Sequence, residues 1–105
     1  MTCVTSDVTF RAVIRSFRHK GLRDLFLTGR TAGVRPDLRK RSLARLDALD
    51  AATELRQLDL PGLRLHPLKG DQAGRWAIDV SGPWRITFAW SEDGDAYRVD
   101  LEQYH

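Results

Sequence analysis

The side chains of this chain that are best suited to chemistry lie in two short cationic motifs and at its end. His66 and Lys69 belong to a His-Pro-Leu-Lys-Gly motif, Arg85 belongs to Trp-Arg-Ile-Thr-Phe, and the sequence closes on Tyr104 and His105. An imidazole or a phenol can carry a proton, while lysine and arginine provide positive charge. This set is suited to cutting RNA without a metal, because negative charge on a phosphate grows in the transition state.

Each of these side chains also has a structural interpretation, which the sequence leaves open. Arg85 lies within a strand pattern and needs an anionic partner, which a salt bridge to Asp79 or Asp100 on a neighbouring strand would provide. His66 is explained equally well as a hydrogen-bonded core histidine. The last two residues are explained as the rim of the core and a frayed terminus. The combination, and no single residue, indicates chemistry.

Positive charge is concentrated in the first half of the chain. Residues 14–46 carry ten Lys or Arg against two Asp, and most basic residues are Arg, which forks onto phosphate oxygens better than Lys. This half predicts a surface that faces a polyanion, and the alternative is a pair of solvated helix faces. His19 is interpreted as an exposed part of that surface. The candidate phosphate-binding residues outside the two motifs are Arg18, Lys20, Arg39, Lys40, Arg41 and Arg75.

Length and composition exclude several classes of protein. The 105 residues suffice for one domain with a modest core. No apolar run is long enough to span a bilayer, and the N-terminus lacks the pattern of a secretion signal. Cys3 is the only cysteine, which excludes an internal disulfide, and no Cys/His cluster indicates a zinc site. We therefore expect a cytoplasmic protein that needs neither a metal nor a cofactor.

Helical spacing of apolar residues predicts two helices in the first half. The first covers residues 19–28 and ends at Gly29, after a short strand candidate at residues 14–17. The second begins at Pro36, which suits a first helical turn, and fades near residues 51–52. Its buried face is predicted to carry Leu43, Leu46 and Leu49.

After residue 62 the apolar period changes to two, which predicts strands. Residues 63–68 form a strand that Pro67 bends or confines to an edge. Strands at 76–80, 84–90 and 97–101 follow, separated by turns at 81–83 and 92–95, with Tyr97, Val99 and Leu101 aligned in the last. The predicted fold is α+β, with two N-terminal helices packed on one face of a small, mainly antiparallel sheet.

The motifs, taken in order and spacing, resemble the HigB toxins of bacterial toxin–antitoxin modules, a branch of the RelE/ParE superfamily. The resemblance runs from Ile14 to His105. Besides the two cationic motifs and the closing run from residue 100, its marks are the stretches at 16–22, 49–52 and 60–62. It implies a RelE-like toxin fold of the microbial ribonuclease type in residues 14–105. Residues 1–13 are expected to be a dispensable extension.

The resemblance implies a ribosome-dependent mRNA endonuclease that stops translation. A ribose 2′-OH would attack the adjacent phosphate, which leaves a 2′,3′-cyclic phosphate and a 5′-OH. The implied partners are the 70S ribosome with mRNA and a HigA antitoxin that carries a helix-turn-helix DNA-binding domain and silences the toxin. Operator DNA would be bound only through the antitoxin, and no membrane is involved.

Roles for individual residues follow from the same resemblance. His66 and Lys69 match positions near the scissile phosphate, and Arg85 matches a phosphate-clamping arginine. Tyr104 and His105 match the C-terminal catalytic pair. His105 is the first candidate for proton transfer, with the lysine and arginine stabilising charge.

The chain departs from the family pattern at two positions. Gln103 stands where relatives often carry an acidic residue, and Val80 offers no match for a further basic position, which Arg75 would replace. Two other functions stay open: a gyrase poison like the related ParE proteins, and a ribosome- or RNA-binding module with a degenerate site. The Tyr-His ending favours RNA cleavage, since ParE proteins lack it.

Overall fold

The computed structural model describes residues 14–92 and 94–103. Within these residues two α-helices, α1 (Lys20–Thr28) and α2 (Pro36–Ala51), precede four strands, β1 (His66–Pro67), β2 (Arg75–Ser81), β3 (Trp84–Trp90) and β4 (Ala96–Gln103). Short 3-10 turns cover Leu55–Leu58 and Gly70–Gln72. The α+β prediction is confirmed. The extension over residues 1–13 and the terminal pair Tyr104 and His105 lie outside the described residues.

Helix α1 has a cap at each end. The ring Nδ1 of His19 accepts a hydrogen bond from the backbone N–H of Leu22 at 3.0 Å, which satisfies a donor that a helix start otherwise leaves open. Gly29 ends the helix at φ +80°, where glycine carries no steric penalty. The predicted stop is confirmed. The interpretation of His19 as an exposed surface residue is wrong, because its half-buried ring caps the helix.

Helix α2 begins at Pro36, as predicted. Its buried residues are Leu38, Ser42, Leu46 and Leu49. The prediction that Leu43 is buried is wrong, since its side chain is 37% exposed. Buried residues recur at every fourth position from Leu38 through Ser42 to Leu46. Leu43 lies one residue off this row and is therefore turned away from the core. Neither helix of the described residues is long and apolar enough to cross a membrane.

The sheet is an antiparallel meander in the order β1-β2-β3-β4. The strand predicted at 63–68 is reduced to two residues, and Pro67 lies on the edge strand, as predicted. The strand candidate at 14–17 meets β4 through two isolated parallel bridges, Ile14 with Ala96 and Phe17 with Val99. Both helices contribute leucines to one core with the inner face of the sheet, which includes Ile78, Val80, Ile86, Phe88, Val99 and Leu101.

Strand β4 contains an irregularity that the sequence pattern did not predict. Arg98 adopts a positive φ of 54°, and the register with β3 shifts between Thr87 and Ala89. An extra residue in one strand reverses the alternation of side chains beyond it. Tyr97 therefore lies opposite Ala89 and is 37% exposed. Its predicted alignment with the core residues of β4 is wrong.

Candidate active site

The face of the sheet that turns away from the helices carries two of the candidate residues, Arg75 and Arg85. We call it the polar face. It comprises Arg75, Ala77 and Asp79 of β2, Arg85, Thr87 and Ala89 of β3, and Asp100 and Glu102 of β4. These positions alternate with the core residues of the same strands, which follows from the two-residue period of a strand.

The strand register sorts the polar face into rows. Arg85 lies opposite Asp79 on β2 and opposite Glu102 on β4. The next row runs across all four strands, and its members are His66, Ala77, Thr87 and Asp100. Residues directly opposite one another bring their side chains close together. The β4 neighbour of Arg85 is therefore Glu102, and Asp100 lies one row away.

A chain of hydrogen bonds joins Glu102 to three other side chains. Gln72 Nε2 donates to one carboxylate oxygen at 3.0 Å, and the Thr87 hydroxyl donates to the other at 2.5 Å. Arg75 Nη2 donates to Thr87 Oγ1 at 3.0 Å and to the carbonyl of Arg98 at 2.9 Å. A guanidinium only donates, so Thr87 accepts from Arg75 and its own proton points to Glu102. The direction of every bond in this chain is thus fixed.

The network keeps Glu102 ionised. Burial alone would raise the pKa of Glu102, but the hydrogen bonds from Thr87 and Gln72 and the positive charges of Arg75 and Arg85 outweigh it. The pKa of this carboxyl therefore lies below its usual range. Thr87 is fully buried, which shields the bonds from competing water.

The surroundings of Arg75 disfavour the charged form of its guanidinium. Burial lowers the pKa of Arg75, and the nearby charge of Arg18 lowers it further, while Glu102 raises it. A guanidinium stays protonated at neutral pH despite such a shift. Arg75 Nε and Nη1 are buried and find no hydrogen-bond partner among the described residues, so the guanidinium is held through Nη2.

His66 has a defined tautomer on the edge strand. Its Nδ1 lies 2.7 Å from the carbonyl oxygen of Arg64. A carbonyl only accepts, so the proton of the neutral ring resides on Nδ1 and the lone pair on Nε2. The ring is half-buried, in the same row as Thr87. Its Nδ1 is thus hydrogen-bonded, as the structural interpretation requires.

Lys69 lies on the loop that leaves β1. It is exposed and precedes the 3-10 turn Gly70–Gln72. The far end of this turn is tied to the sheet through the bond from Gln72 to Glu102. The far end of this loop is therefore held at the polar face, while its start is joined to β2 by the hydrogen bond from the N–H of Leu68 to the carbonyl of Arg75.

Two cations of the N-terminal half differ in their relation to this site. Arg18 Nε lies 4.0 Å from a carboxylate oxygen of Asp100, and its charge acts on Arg75. It therefore borders the polar face. Lys20 is the first residue of α1 and is exposed.

The cations of α2 are not brought to the polar face. Arg39, Lys40 and Arg41 lie on a helix whose leucines pack against the opposite side of the sheet. Arg39 Nε donates to the carbonyl of Val34 at 2.8 Å and so closes the loop before the helix, while the other two are exposed. These residues form a separate basic surface.

Sequence reasoning missed the centre of the network. Glu102, Thr87 and Gln72 were not among the candidate residues, although all three surround the predicted arginines. One signal was present: Thr87 follows Arg85 by two residues in the clearest strand of the chain, and so shares its face. Nothing comparable pointed to Glu102, because strand register is not visible in the sequence.

Comparison with known proteins gives the family. Residues 15–105 match the model of a family described as the RelE-like toxin of type II toxin–antitoxin system HigB. The protein named Endoribonuclease HigB of Proteus vulgaris is 48% identical to this chain over 93 residues, which are 89% of this chain and 100% of that protein. The resemblance drawn from the motifs is confirmed, and the chain belongs to the HigB-like toxins of type II toxin–antitoxin systems.

Proposed function

We propose that this protein is a ribosome-dependent endoribonuclease that cleaves mRNA and thereby stops translation. The observation that carries the proposal is the relative named an endoribonuclease, which is 48% identical to this chain along its whole length. The polar face supports it, because Arg85 and Arg75 bring two guanidinium groups to one surface, in rows next to a histidine whose ring Nδ1 is held by the carbonyl of Arg64.

In the proposed reaction the 2′ oxygen of a ribose forms a bond to the adjacent phosphorus, and the bond from phosphorus to the 5′ oxygen breaks. One proton leaves the 2′-OH and another is delivered to the departing 5′ oxygen. Arg85 and Lys69 stabilise the charge that grows on the phosphate. His105 transfers a proton, with Tyr104 beside it in the chain and His66 near the phosphate. These groups supply proton transfer and charge by themselves, so the proposal includes no metal and no cofactor.

The proposed partners are the translating 70S ribosome with its mRNA and a HigA-type antitoxin with a helix-turn-helix domain. Membership of a type II toxin family supports the existence of an antitoxin. The separate basic surface of α2 is suited to ribosomal RNA or to acidic segments of the antitoxin, since it lies away from the polar face. The antitoxin alone would connect the complex to operator DNA. The proposed setting is the cytoplasm, where translation takes place.

The test is to incubate purified protein with translating ribosomes and a defined mRNA. We expect cuts that leave 5′-OH ends, which a polynucleotide kinase labels without prior phosphatase treatment, and no cuts in the same mRNA without ribosomes. Deletion of His105 is the matched variant, and loss of a positioned proton carrier should slow cleavage by roughly 10²–10⁴. Inhibition of DNA gyrase without mRNA cleavage would instead identify a ParE-like poison. Ribosome binding with neither activity would identify a degenerate binding module.

A further inference from the structure

Glu102 is a carboxylate on the polar face that the proposed reaction does not use. An anion beside a phosphate-binding site repels the substrate, so its presence there calls for a compensating role. Both of its oxygens accept hydrogen bonds from within the fold, one from Thr87 and one from Gln72. Its position opposite Arg85 and its link to Arg75 place it between the two arginines of the face.

The hydrogen bonds explain how Glu102 acts on Arg75. Thr87 donates its proton to the carboxylate, which makes its oxygen a better acceptor for the guanidinium. Arg75 is held through Nη2 by Thr87 and by the carbonyl of Arg98, and its Nε and Nη1 have no hydrogen-bond partner within residues 14–92 and 94–103. The orientation of the guanidinium therefore depends on a threonine that is itself oriented by Glu102.

A role as general base fits the site less well. Both carboxylate oxygens are occupied by donors of the protein, and the low pKa of Glu102 makes it a weak acceptor of a proton at neutral pH. Glu102 can instead act through its negative charge and through the orientation that it gives to the side chains that donate hydrogen bonds to it.

We propose that Glu102 is a positioning residue, which through Thr87 holds Arg75 and through its charge holds Arg85 in the orientation that the scissile phosphate requires. The proposal rests on the proposed function and deepens it. It also explains why Thr87 is buried at the centre of the face: its hydroxyl joins the carboxylate to the guanidinium.

Two substitutions separate the charge of Glu102 from the hydroxyl of Thr87. Glu102→Gln preserves the hydrogen bonds, because Thr87 can donate to the new amide oxygen and the amide of Gln72 can flip to accept from the new nitrogen. Thr87→Val keeps the shape and removes the hydroxyl, while Thr87→Ser restores it. Glu92→Gln, at an exposed turn position, is the control for the same change in charge.

Cleavage of ribosome-bound mRNA should fall about 10–100-fold in Glu102→Gln and Thr87→Val, as expected for a hydrogen bond to a charged group. The fall should appear in kcat, with KM unchanged or lower because a repulsive anion is gone. Thr87→Ser and Glu92→Gln should cut at the parent rate. A merely structural role would instead lower the melting temperature and leave the kinetics of the folded fraction unchanged. Parent-like or faster cleavage by Glu102→Gln, or equal impairment of Thr87→Ser and Thr87→Val, would overturn the proposal.

A second measurement tests the positioning role of Glu102 independently of whether the protein cleaves mRNA. Nitrogen-15 spectra of arginine side chains report the rotation of each guanidinium in the free protein, with no ribosome present. Rotation of Arg75 should be slow in the parent, fast in Thr87→Val, which removes the bond, and intermediate in Glu102→Gln, which keeps the bond but loses the charge that strengthens it. If the parent fails to cut mRNA, the proposed function is wrong, and the spectra still decide whether Glu102 positions the arginine. Unchanged rotation in Glu102→Gln would reject the positioning role whatever the activity.

Discussion

Replacement of Gly21 by alanine tests the packing between α1 and the loop that precedes α2. A Cβ atom at position 21 would lie 2.3 Å from the carbonyl oxygen of Gly33 and 2.6 Å from its carbonyl carbon. It would also lie 2.8 Å from Cε1 of His19, the ring that caps α1. Ordinary contacts begin at 3.4 Å, so a backbone segment and a cap must both move to admit one methyl group.

The expected change in the free energy of unfolding is the sum of two destabilising contributions and one stabilising contribution. Overpacking of this kind costs about 1–3 kcal/mol, and a damaged N-cap costs about 0.5–2 kcal/mol. Alanine in place of glycine within a helix returns about 1 kcal/mol. We therefore expect Gly21→Ala to lower the free energy of unfolding by about 1–3 kcal/mol, because the clash is with backbone atoms and not with the end of a flexible side chain. For a domain of this size the melting temperature should fall by about 5–20 °C.

The assay is urea and thermal unfolding followed by circular dichroism, with unfolding midpoints and slopes compared with the parent. Lys20→Ala is the matched control, since it introduces the same residue one position earlier on an exposed site of α1 and should change stability by no more than about 0.5 kcal/mol. Equal or greater stability of Gly21→Ala would refute the reasoning. Helix propensity would then outweigh the contact between the new methyl group and the backbone of Gly33.

Three further predictions concern activity, acid stability and the N-terminus. Arg85→Ala and Lys69→Ala should each slow cleavage by about 10²–10³ and relieve growth arrest, while the proteins still fold and still bind the antitoxin in a pull-down. Acid should weaken the contribution of Glu102: because its folded pKa lies below the unfolded value, its stabilisation is present above the unfolded pKa of about 4.3 and is lost as the pH falls through the folded value. The difference in urea midpoint between the parent and Glu102→Gln should accordingly stay constant between about pH 6 and 8 and shrink in acid. A chain that begins at Ile14 should melt and cut like the full chain, and a large fall in its melting temperature would show that residues 1–13 stabilise the domain.

Local signals in the sequence predicted much of the fold. Gly29 and Pro36 mark a helix end and a helix start because their backbone preferences hold in almost any context. Pro67 lies on an edge strand because it lacks the N–H that a central strand requires. The family of the chain was likewise recognisable from motifs that are local in sequence.

The features that the sequence did not predict depend on the register between neighbouring strands. The bulge at Arg98 shifts the register of β4, and only then does Tyr97 turn out of the core. The same pairing places Glu102 opposite Arg85, whereas the sequence interpretation considered only aspartates as partners for that arginine. Alternation within a strand gives the face of a residue, but its neighbours on that face are set by turns and bulges elsewhere.

The two edges of the sheet limit how a partner can bind. On one side β1 offers two residues, one of which is a proline without an N–H. On the other side the carbonyls of Ala96 and Val99 already accept hydrogen bonds from Arg15 and Arg18. Within the described residues, neither β1 nor the covered side of β4 offers a free row of backbone groups to which another chain could add a strand. We therefore expect an antitoxin to be recognised largely through side chains and charge, and the association should weaken as the salt concentration rises.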